Sequence, residues 1–273
     1  MEVYVGAGVL FFIWFVVFFL GQKKAARRKV LLNKPLNEEQ LQILKKNFSI
    51  AFKLPDHLQS KLHGLINLFL DEKDFTGCNG LEIDEEIRVT IAAQACLLLL
   101  NNKTQPWYKK LHTVLVYPSA YKAVSTSHQG DRISESDSVR LGESWGGGSI
   151  VLSWSHSRHG GVNFDDGQNV VLHEFAHQLD QVDGAADGIP QLETAACYAS
   201  WAKVLSEHYK KLVHKTMKNQ KTLLDKYGAT NEAEFFSVAT ECFFEKPRQM
   251  NKKHPELYAE LSKYYGLNPV DWD

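Results

Sequence analysis

An uncharged apolar run near the N-terminus is the feature that most constrains the fold of this chain. Residues 3–21 read VYVGAGVLFFIWFVVFFLG and contain no charged side chain. As a helix, this run would be about 28 Å long, close to a hydrocarbon core of roughly 30 Å. A core helix of this length normally has a polar face. The run therefore predicts one N-terminal transmembrane helix, which we place at residues 1–22.

A basic cluster directly after this run predicts the orientation of the anchor. A cleavable signal peptide carries its positive charge before the apolar run, whereas here only Met1 and Glu2 precede it. Lysine and arginine are enriched on the cytoplasmic side of membrane helices. We therefore expect a single-pass protein of the inner (cytoplasmic) membrane, with the rest of the chain facing the cytoplasm. The basic residues are Lys23, Lys24, Arg27, Arg28 and Lys29.

Charge and cysteine content exclude two classes of protein. The net charge is −1, and no predicted helix carries a basic stripe with interleaved aromatics, so direct nucleic-acid binding is not expected. The cysteines are far apart and form no C-x-x-C pair, which predicts reduced, mostly buried thiols rather than a disulfide scaffold. They are Cys78, Cys96, Cys197 and Cys242.

Apolar periodicity beyond the anchor predicts an α+β fold that is mostly helical with a small sheet. We interpret residues 23–55 as a basic juxtamembrane linker with a short helix at about 37–47, and residues 56–273 as one domain. Alternating patterns predict strands at 111–117 and 149–154, and residues 122–148 are expected to form loops or a hairpin. The other predicted helices cover residues 57–70, 85–100, 169–180, 192–218, 232–244 and 256–265.

The segment His173-Glu174-Phe175-Ala176-His177 carries the chemistry that the sequence makes most specific. Two histidines four residues apart leave the same face of a helix, a spacing that lets both imidazoles bind one Zn²⁺. Glu174 lies beside the first histidine, where its carboxylate reaches a metal-activated water rather than the metal. The segment therefore predicts a zinc-dependent hydrolytic centre. The alternative is a surface helix with two hydrogen-bonded histidines.

A third ligand is expected from a distant carboxylate, because catalytic zinc usually has three protein ligands and one open position. No further histidine lies close to the motif, but the predicted helix at 232–244 offers three acids. Glu234 and Glu241 are seven residues apart and share a helix face, whereas Glu232 does not. Glu234 is our choice and Glu241 is its competitor. A surface carboxylate is the alternative for either.

Two further side chains are candidates for supporting roles. Asp180 follows His177 by three residues on the same helix face, so its carboxylate either orients a ligand histidine or caps the end of the helix. Tyr227 precedes Glu234 by seven residues, and its phenol would steady the oxyanion of a tetrahedral intermediate. A packed or exposed tyrosine is the alternative.

The strand predicted at residues 149–154 runs shortly before the motif helix. If it forms a sheet edge, a peptide substrate would pair with it as an added strand. The alternative is a core strand with a flexible entry loop.

The motifs together resemble a known family. The segments H173–D180 and Y227–F236 look like the Mlc titration factor A family of zinc peptidases, and the resemblance extends over roughly residues 60–250. The Tyr/Glu spacing is also similar to the catalytic domain of anthrax lethal factor, a zincin-type fold. Further similar runs are F75–L81, R88–L100, G142–W145 and V151–W154.

The resemblance implies specific roles. His173, His177 and Glu234 would bind zinc, Glu174 would be the general base, and Tyr227 falls on the active-site tyrosine of the family. It further implies a zincin-like domain with aminopeptidase-like activity on peptide or protein substrates. The alternative function is a regulatory protein that binds and sequesters a transcriptional repressor or other partner, with zinc only structural.

Overall fold

A computed structural model describes residues 2–101, 107–119, 121–129, 132–140, 142–145, 148–182 and 184–272, with side chains except at 2–13, 17 and 121–145. The helices are α1 (Glu2–Leu32), α2 (Glu38–Asn47), α3 (Asp56–Glu72), α4 (Glu85–Leu97), α5 (Trp154–Val162), α6 (Val170–Asp180), α7 (Ala195–Met217), α8 (Glu232–Glu245), α9 (Pro247–Lys253) and α10 (Pro255–Tyr265). The strands are β1 (Asp74–Gly77), β2 (Thr113–Tyr117), β3 (Tyr121–Gln129), β4 (Arg132–Arg140), β5 (Gly142–Trp145) and β6 (Ser149–Ser153).

The N-terminal helix does not end at the predicted boundary near residue 22 but continues to Leu32. Its basic half contacts α3. Arg27 pairs with Asp71, and Arg28 Nε lies 3.4 Å from Glu72 Oε1. The Arg28 guanidinium also lies 5.7 Å from the centre of the Trp107 ring. The arginines of the predicted orientation signal therefore help to hold α1 on the domain.

Among the residues that the structure describes, no helix is both long enough and apolar enough to cross a membrane. The predicted anchor at residues 1–22 therefore has no support from the structure, and many of its side chains lie outside the described part. The expected membrane location and the division of the chain into anchor, linker and domain stay predictions.

The segment predicted as a linker with a short helix contains α2, which joins the core. Asn37 caps the helix by accepting from Gln40 N–H at 2.9 Å, and the Gln40 side chain accepts from Asn37 N–H in return. This reciprocal pair satisfies two backbone N–H groups that would otherwise lack partners at the helix start. Leu44 and Phe48 are fully buried, so this segment packs against the domain.

The sheet has the strand order β1-β2-β6-β5. β1 and β6 both run parallel to β2, whereas β5 runs antiparallel to β6. β3 and β4 form a separate antiparallel hairpin, one of the two alternatives predicted for that region. The predicted α+β class, mostly helical with a small sheet, is confirmed.

The strand predicted at residues 149–154 corresponds to β6, and of the two alternatives given for it the structure shows a core strand and not a sheet edge. β6 pairs with β2 on one side and β5 on the other, so its backbone groups are already used by the sheet. Among the described strands, β5 is the edge strand on this side and packs next to α6.

The motif helix α6 is fixed by its apolar face. Phe175 is fully buried, and its ring centre lies 4.9 Å from that of Tyr108 and 5.8 Å from that of Phe69. Burial of one such side chain contributes about 1.5–3 kcal/mol. The opposite face turns towards α8 and carries the polar residues of the motif. The other buried apolar residues of α6 are Val171, Leu172, Ala176 and Leu179.

Candidate metal centre

The start of α6 is held by its cap. Asn169 Oδ1 accepts a hydrogen bond from Leu172 N–H at 2.9 Å, and the Asn169 side chain donates to Gly160 O at 3.0 Å. An asparagine at this position satisfies one of the first backbone N–H groups of a helix. The side chains one turn later, beginning with His173, are therefore presented from a fixed helix start.

Three side chains from two helices converge beside α6. Glu234 Oε2 lies 2.9 Å from His173 Nε2 and 3.3 Å from His177 Nε2. The three ligand atoms all lie within 4.8 Å of one another. Glu234 reaches this position from the first turn of α8, where its backbone N–H is capped by Asn231 Oδ1 at 2.9 Å. The structure thus brings together the three residues that the sequence predicted as metal ligands.

The donor set and its spacing fit a divalent cation. Two imidazole nitrogens and one carboxylate oxygen are donors typical of an open, catalytic zinc site. Tetrahedral ligands at about 2.0–2.1 Å from a metal lie about 3.3 Å from each other. The observed separations between Glu234 Oε2 and the two Nε2 atoms are 2.9 and 3.3 Å, so a small cation needs little rearrangement of these side chains.

Glu241 holds the far side of the first histidine. Its Oε1 lies 2.8 Å from His173 Nδ1, so one imidazole contacts a carboxylate at each nitrogen. Burial lowers the pKa of His173, but the hydrogen bonds to Glu234 and Glu241 outweigh burial and raise the pKa well above its ordinary value. The surroundings of this imidazole therefore favour a positive charge, whether a proton or a metal ion.

Glu174 belongs to the same group of side chains, but its carboxyl group has a different electrostatic environment. Its side chain is only 6% exposed, and burial raises its pKa above the ordinary value. Positive charge on His173 and His177 works in the opposite direction. A buried carboxyl group whose pKa is raised is suited to take up a proton and release it again.

The Glu234 carboxylate is suited to stay ionised. Burial raises its pKa, but hydrogen bonds to His173 and His177 outweigh burial and hold the pKa well below its usual range. Glu174 and Glu234 are therefore neighbouring acids with opposite pKa shifts. An opposite pair of this kind marks a division of roles between proton transfer and charge binding.

Tyr227 lies at the solvent side of the cluster. It belongs to a short 3₁₀-helix, Lys226–Ala229, and its hydroxyl donates to Glu234 Oε1 over a long 3.4 Å. Its ring centre is 5.9 Å from that of His173, and the side chain is 56% exposed. The phenol therefore lies on the solvent-exposed side of the candidate metal centre.

Comparison with known proteins identifies the family. The model of the glucose-regulated metallo-peptidase M90 family matches residues 22–266. The chain belongs to this family. The family match indicates a metallopeptidase-type enzyme.

Several related proteins match most of this chain. An uncharacterized protein of Synechocystis sp. is 40% identical over 265 residues, 96% of this chain and 94% of the relative. The Mlc titration factor A of Escherichia fergusonii is 32% identical over 235 residues, 81% of this chain and 83% of the relative. That of Cronobacter sakazakii is 32% identical over 231 residues, covering 80% and 82%. The predicted Mlc titration factor A family is confirmed, whereas the likeness to anthrax lethal factor stays a prediction.

Asp180 contacts the loop after α6 in this M90 chain. Its Oδ2 accepts a hydrogen bond from Gly188 N–H at 2.9 Å, while the buried Oδ1 has no hydrogen-bond partner among the residues that the structure describes. Burial raises the pKa of Asp180 to about 6. The observed contact is neither of the two predicted alternatives, because the Asp180 carboxylate holds the loop at Gly188 instead of capping the helix end or contacting a histidine. The carboxylate that contacts Nδ1 of His173 is that of Glu241.

Two acids of α8 also hold the segment that leads into α6, an arrangement that sequence reasoning missed. Glu241 Oε2 accepts from Asn169 N–H at 2.5 Å, and Glu245 Oε2 accepts from Gly167 N–H at 2.7 Å and Gln168 N–H at 3.0 Å. Both acids are buried, and their bonds connect the start of α6 to α8. The sequence signal for this arrangement is the spacing of Glu234, Glu241 and Glu245, which places the three acids on one face of α8.

Proposed function

We propose that this chain is a zinc-dependent peptidase that hydrolyses peptide bonds at the cluster of His173, His177 and Glu234. The convergence of these ligand atoms beside the buried Glu174 is the observation that carries the proposal. Zinc is the cation expected for two imidazoles and one carboxylate with an open position. When bound, zinc would lower the pKa of a water and polarise the scissile carbonyl.

Glu174 is the proposed general base. Its carboxylate takes a proton from the attacking water and later delivers a proton to the amine that leaves. The raised pKa and low exposure of Glu174 support both transfers, since the group is shielded from bulk solvent and does not hold its charge strongly.

Two other side chains complete the proposed reaction. The Tyr227 hydroxyl donates a hydrogen bond to the oxyanion that forms from the substrate carbonyl. The position of Tyr227 at the solvent side of the cluster supports this role. Glu241 keeps the His173 ring in one orientation through the bond to Nδ1.

A peptide substrate is proposed to lie along β5. β5 is an edge strand antiparallel to β6 and packs beside α6, so its outer backbone groups are placed to pair with an extended peptide close to the metal ligands. The aminopeptidase-like specificity implied by the family resemblance is part of this proposal. It requires that a peptide with a free N-terminus is cleaved faster than the same peptide with an acetylated one.

The decisive experiment uses Glu174→Gln with its metal content measured. We expect the variant to keep its metal, because Glu174 is not among the three converging ligands, and to lose peptide hydrolysis. The control is Glu232→Gln, an exposed acid of α8 outside the ligand set, which should hydrolyse at the wild-type rate. Full turnover by metal-loaded Glu174→Gln would contradict the proposed base.

The second candidate function is binding and sequestration of a transcriptional repressor, supported by relatives whose names describe them as Mlc titration factors. A purely structural metal site has no use for Glu174, which separates the two functions. Chelator-sensitive hydrolysis of peptide reporters supports the peptidase. Absence of hydrolysis, together with partner binding that Glu174→Gln leaves unchanged, would support the binding function.

A further inference from the structure

A cavity of about 140 Å³ lies outside the metal centre, between α7 and the junction of α9 and α10. A single buried water needs roughly 10–15 Å³ on such a measure, so this cavity admits a small molecule with some of its water. No lining residue belongs to the cluster of His173, His177 and Glu234. The cavity is therefore a separate feature of the molecule.

Positive side chains surround this cavity. Lys211 and Lys215 line it from α7, Lys253 from the end of α9, and two histidines complete the ring. No acidic residue is among the lining residues, and of the nearby acids Glu207 already bonds to Lys211 at 2.7 Å. Charge of one sign around a recess raises the local concentration of ions of the opposite sign.

The two histidines of the cavity are His208 and His254. His208 is only 6% exposed, and its Nδ1 donates to Val204 O at 3.0 Å, which leaves Nε2 for the cavity. Its ring centre lies 5.5 Å from that of His254. Burial, followed by the charges of His208 and the three lysines, lowers the pKa of His254 to about 4. An anion bound beside this half-buried imidazole and the lysines would offset their mutual repulsion.

The remaining walls are apolar. Leu212 from α7 and Leu223 and Leu224 from the following loop line the cavity, and Leu224 is only 3% exposed. Thr222 adds a hydroxyl. The lining thus combines lysine ammonium groups, which bind phosphate as point charges, with a partly apolar floor for the body of a ligand.

We propose that this cavity binds a small phosphate-bearing anion. Lys211, Lys215 and Lys253 contact the phosphate oxygens from three sides, and the buried His208 lines the cavity beside them. Glu207 and Glu256, the acids nearest to Lys211, limit the affinity without entering the cavity. Binding at this place is independent of the proposed peptidase reaction.

The test titrates the full-length protein with inorganic phosphate by calorimetry, with chloride holding the ionic strength constant. We expect saturable binding that Lys211→Gln/Lys215→Gln weakens at least about tenfold, since each lysine supplies a charge-assisted bond. Lys210→Gln/Lys218→Gln is the matched control. It removes two exposed lysines of the same region that do not line the cavity, and it should bind as the wild type does.

A local readout comes from NMR titration of His254, whose pKa should rise when phosphate is present. This readout and the matched variants separate the cavity from phosphate bound at a metal. Absence of saturable binding would overturn the proposal, as would equal binding by the wild type and Lys211→Gln/Lys215→Gln. Tighter binding of succinate than of phosphate would overturn the assigned ligand class.

Discussion

Glu241 Oε1 lies 2.8 Å from Nδ1 of His173, on the opposite side of the ring from Glu234. The bond fixes which nitrogen of His173 carries the hydrogen and therefore which nitrogen is free to bind a metal. Both acids lie on α8, so one helix supplies a proposed ligand and the residue that orients another.

We expect Glu241→Ala to weaken metal binding about 10–100-fold, the usual effect of removing a carboxylate that orients a ligand histidine. Competition with a chelator of known affinity measures the change. Glu232→Ala, which removes an exposed acid from the first turn of the same helix, should leave the affinity unchanged. Metal affinity in Glu241→Ala within twofold of the wild type would mean that the bond to His173 does not position the ring.

Features encoded by neighbouring residues were predictable from the sequence. The spacing of His173 and His177 requires only the helical period, and the apolar face of α6 requires only its own eleven residues. Helix α2 begins after Asn37, as its polar start and basic end indicate. Helix α8 ends at Glu245, one residue after its predicted end. Short-range periodicity and capping decide these elements, and both are visible in a single sequence.

Features that depend on distant partners were not predictable. β1 has four residues and was not among the predicted strands, because its strand character comes from parallel pairing with β2 almost forty residues later. The same is true of which strand forms the edge. Glu234 and Glu241 were known to share a face, but they lie about 10 Å apart along the helix axis. Only the crossing of α6 and α8 decides which histidine nitrogen each acid reaches.

Gly188 is predicted to be far less tolerant of a side chain than Gly184, although both have positive φ, +75° and +104°. A Cβ at Gly188 would lie 2.4 Å from Glu232 O, whereas a Cβ at Gly184 meets nothing within 4 Å. Alanine at a left-handed position costs roughly 1–2 kcal/mol in either case. We expect the free energy of unfolding of Gly188→Ala, measured in urea, to fall by about 1–3 kcal/mol more than that of Gly184→Ala, because the start of α8 must move.

The same movement should reach the metal centre, since Glu234 lies in the first turn of α8. Gly188→Ala is therefore expected to bind metal more weakly, and Gly184→Ala is not. Equal stability and equal metal affinity of the two variants would show that the contact with Glu232 O is relieved without moving the helix.

Tyr227→Phe is expected to lower kcat about 10²–10³-fold, the usual loss when one donor to an oxyanion is removed. KM and metal content should change little, because the hydroxyl bond to Glu234 is long at 3.4 Å and the tyrosine is not among the converging ligands. Steady-state kinetics on a peptide reporter, with metal content measured on the same sample, tests this. Loss of metal from the variant would instead assign Tyr227 to the support of Glu234.

Asp180 is expected to make folding stability depend on pH between about 4 and 6. Burial raises the pKa of Asp180 from 3.8 to about 6, so the folded chain holds a proton that the unfolded chain releases. Its contribution to stability is therefore complete below pH 4 and is lost as the pH rises to 6. The shift of about two units corresponds to about 3 kcal/mol.

Asp180→Asn removes this titration, because an amide does not ionise and its oxygen still accepts from Gly188 N–H. The stability of Asp180→Asn relative to the wild type should therefore rise by about 3 kcal/mol from pH 4 to pH 7. Urea unfolding of chelator-treated protein across this range measures it, since a bound cation would itself lower the pKa of a nearby acid. Asp165→Asn, at an exposed position, controls for the loss of one acid. A constant difference between Asp180→Asn and the wild type would mean that Asp180 is ionised throughout and that its buried Oδ1 is solvated.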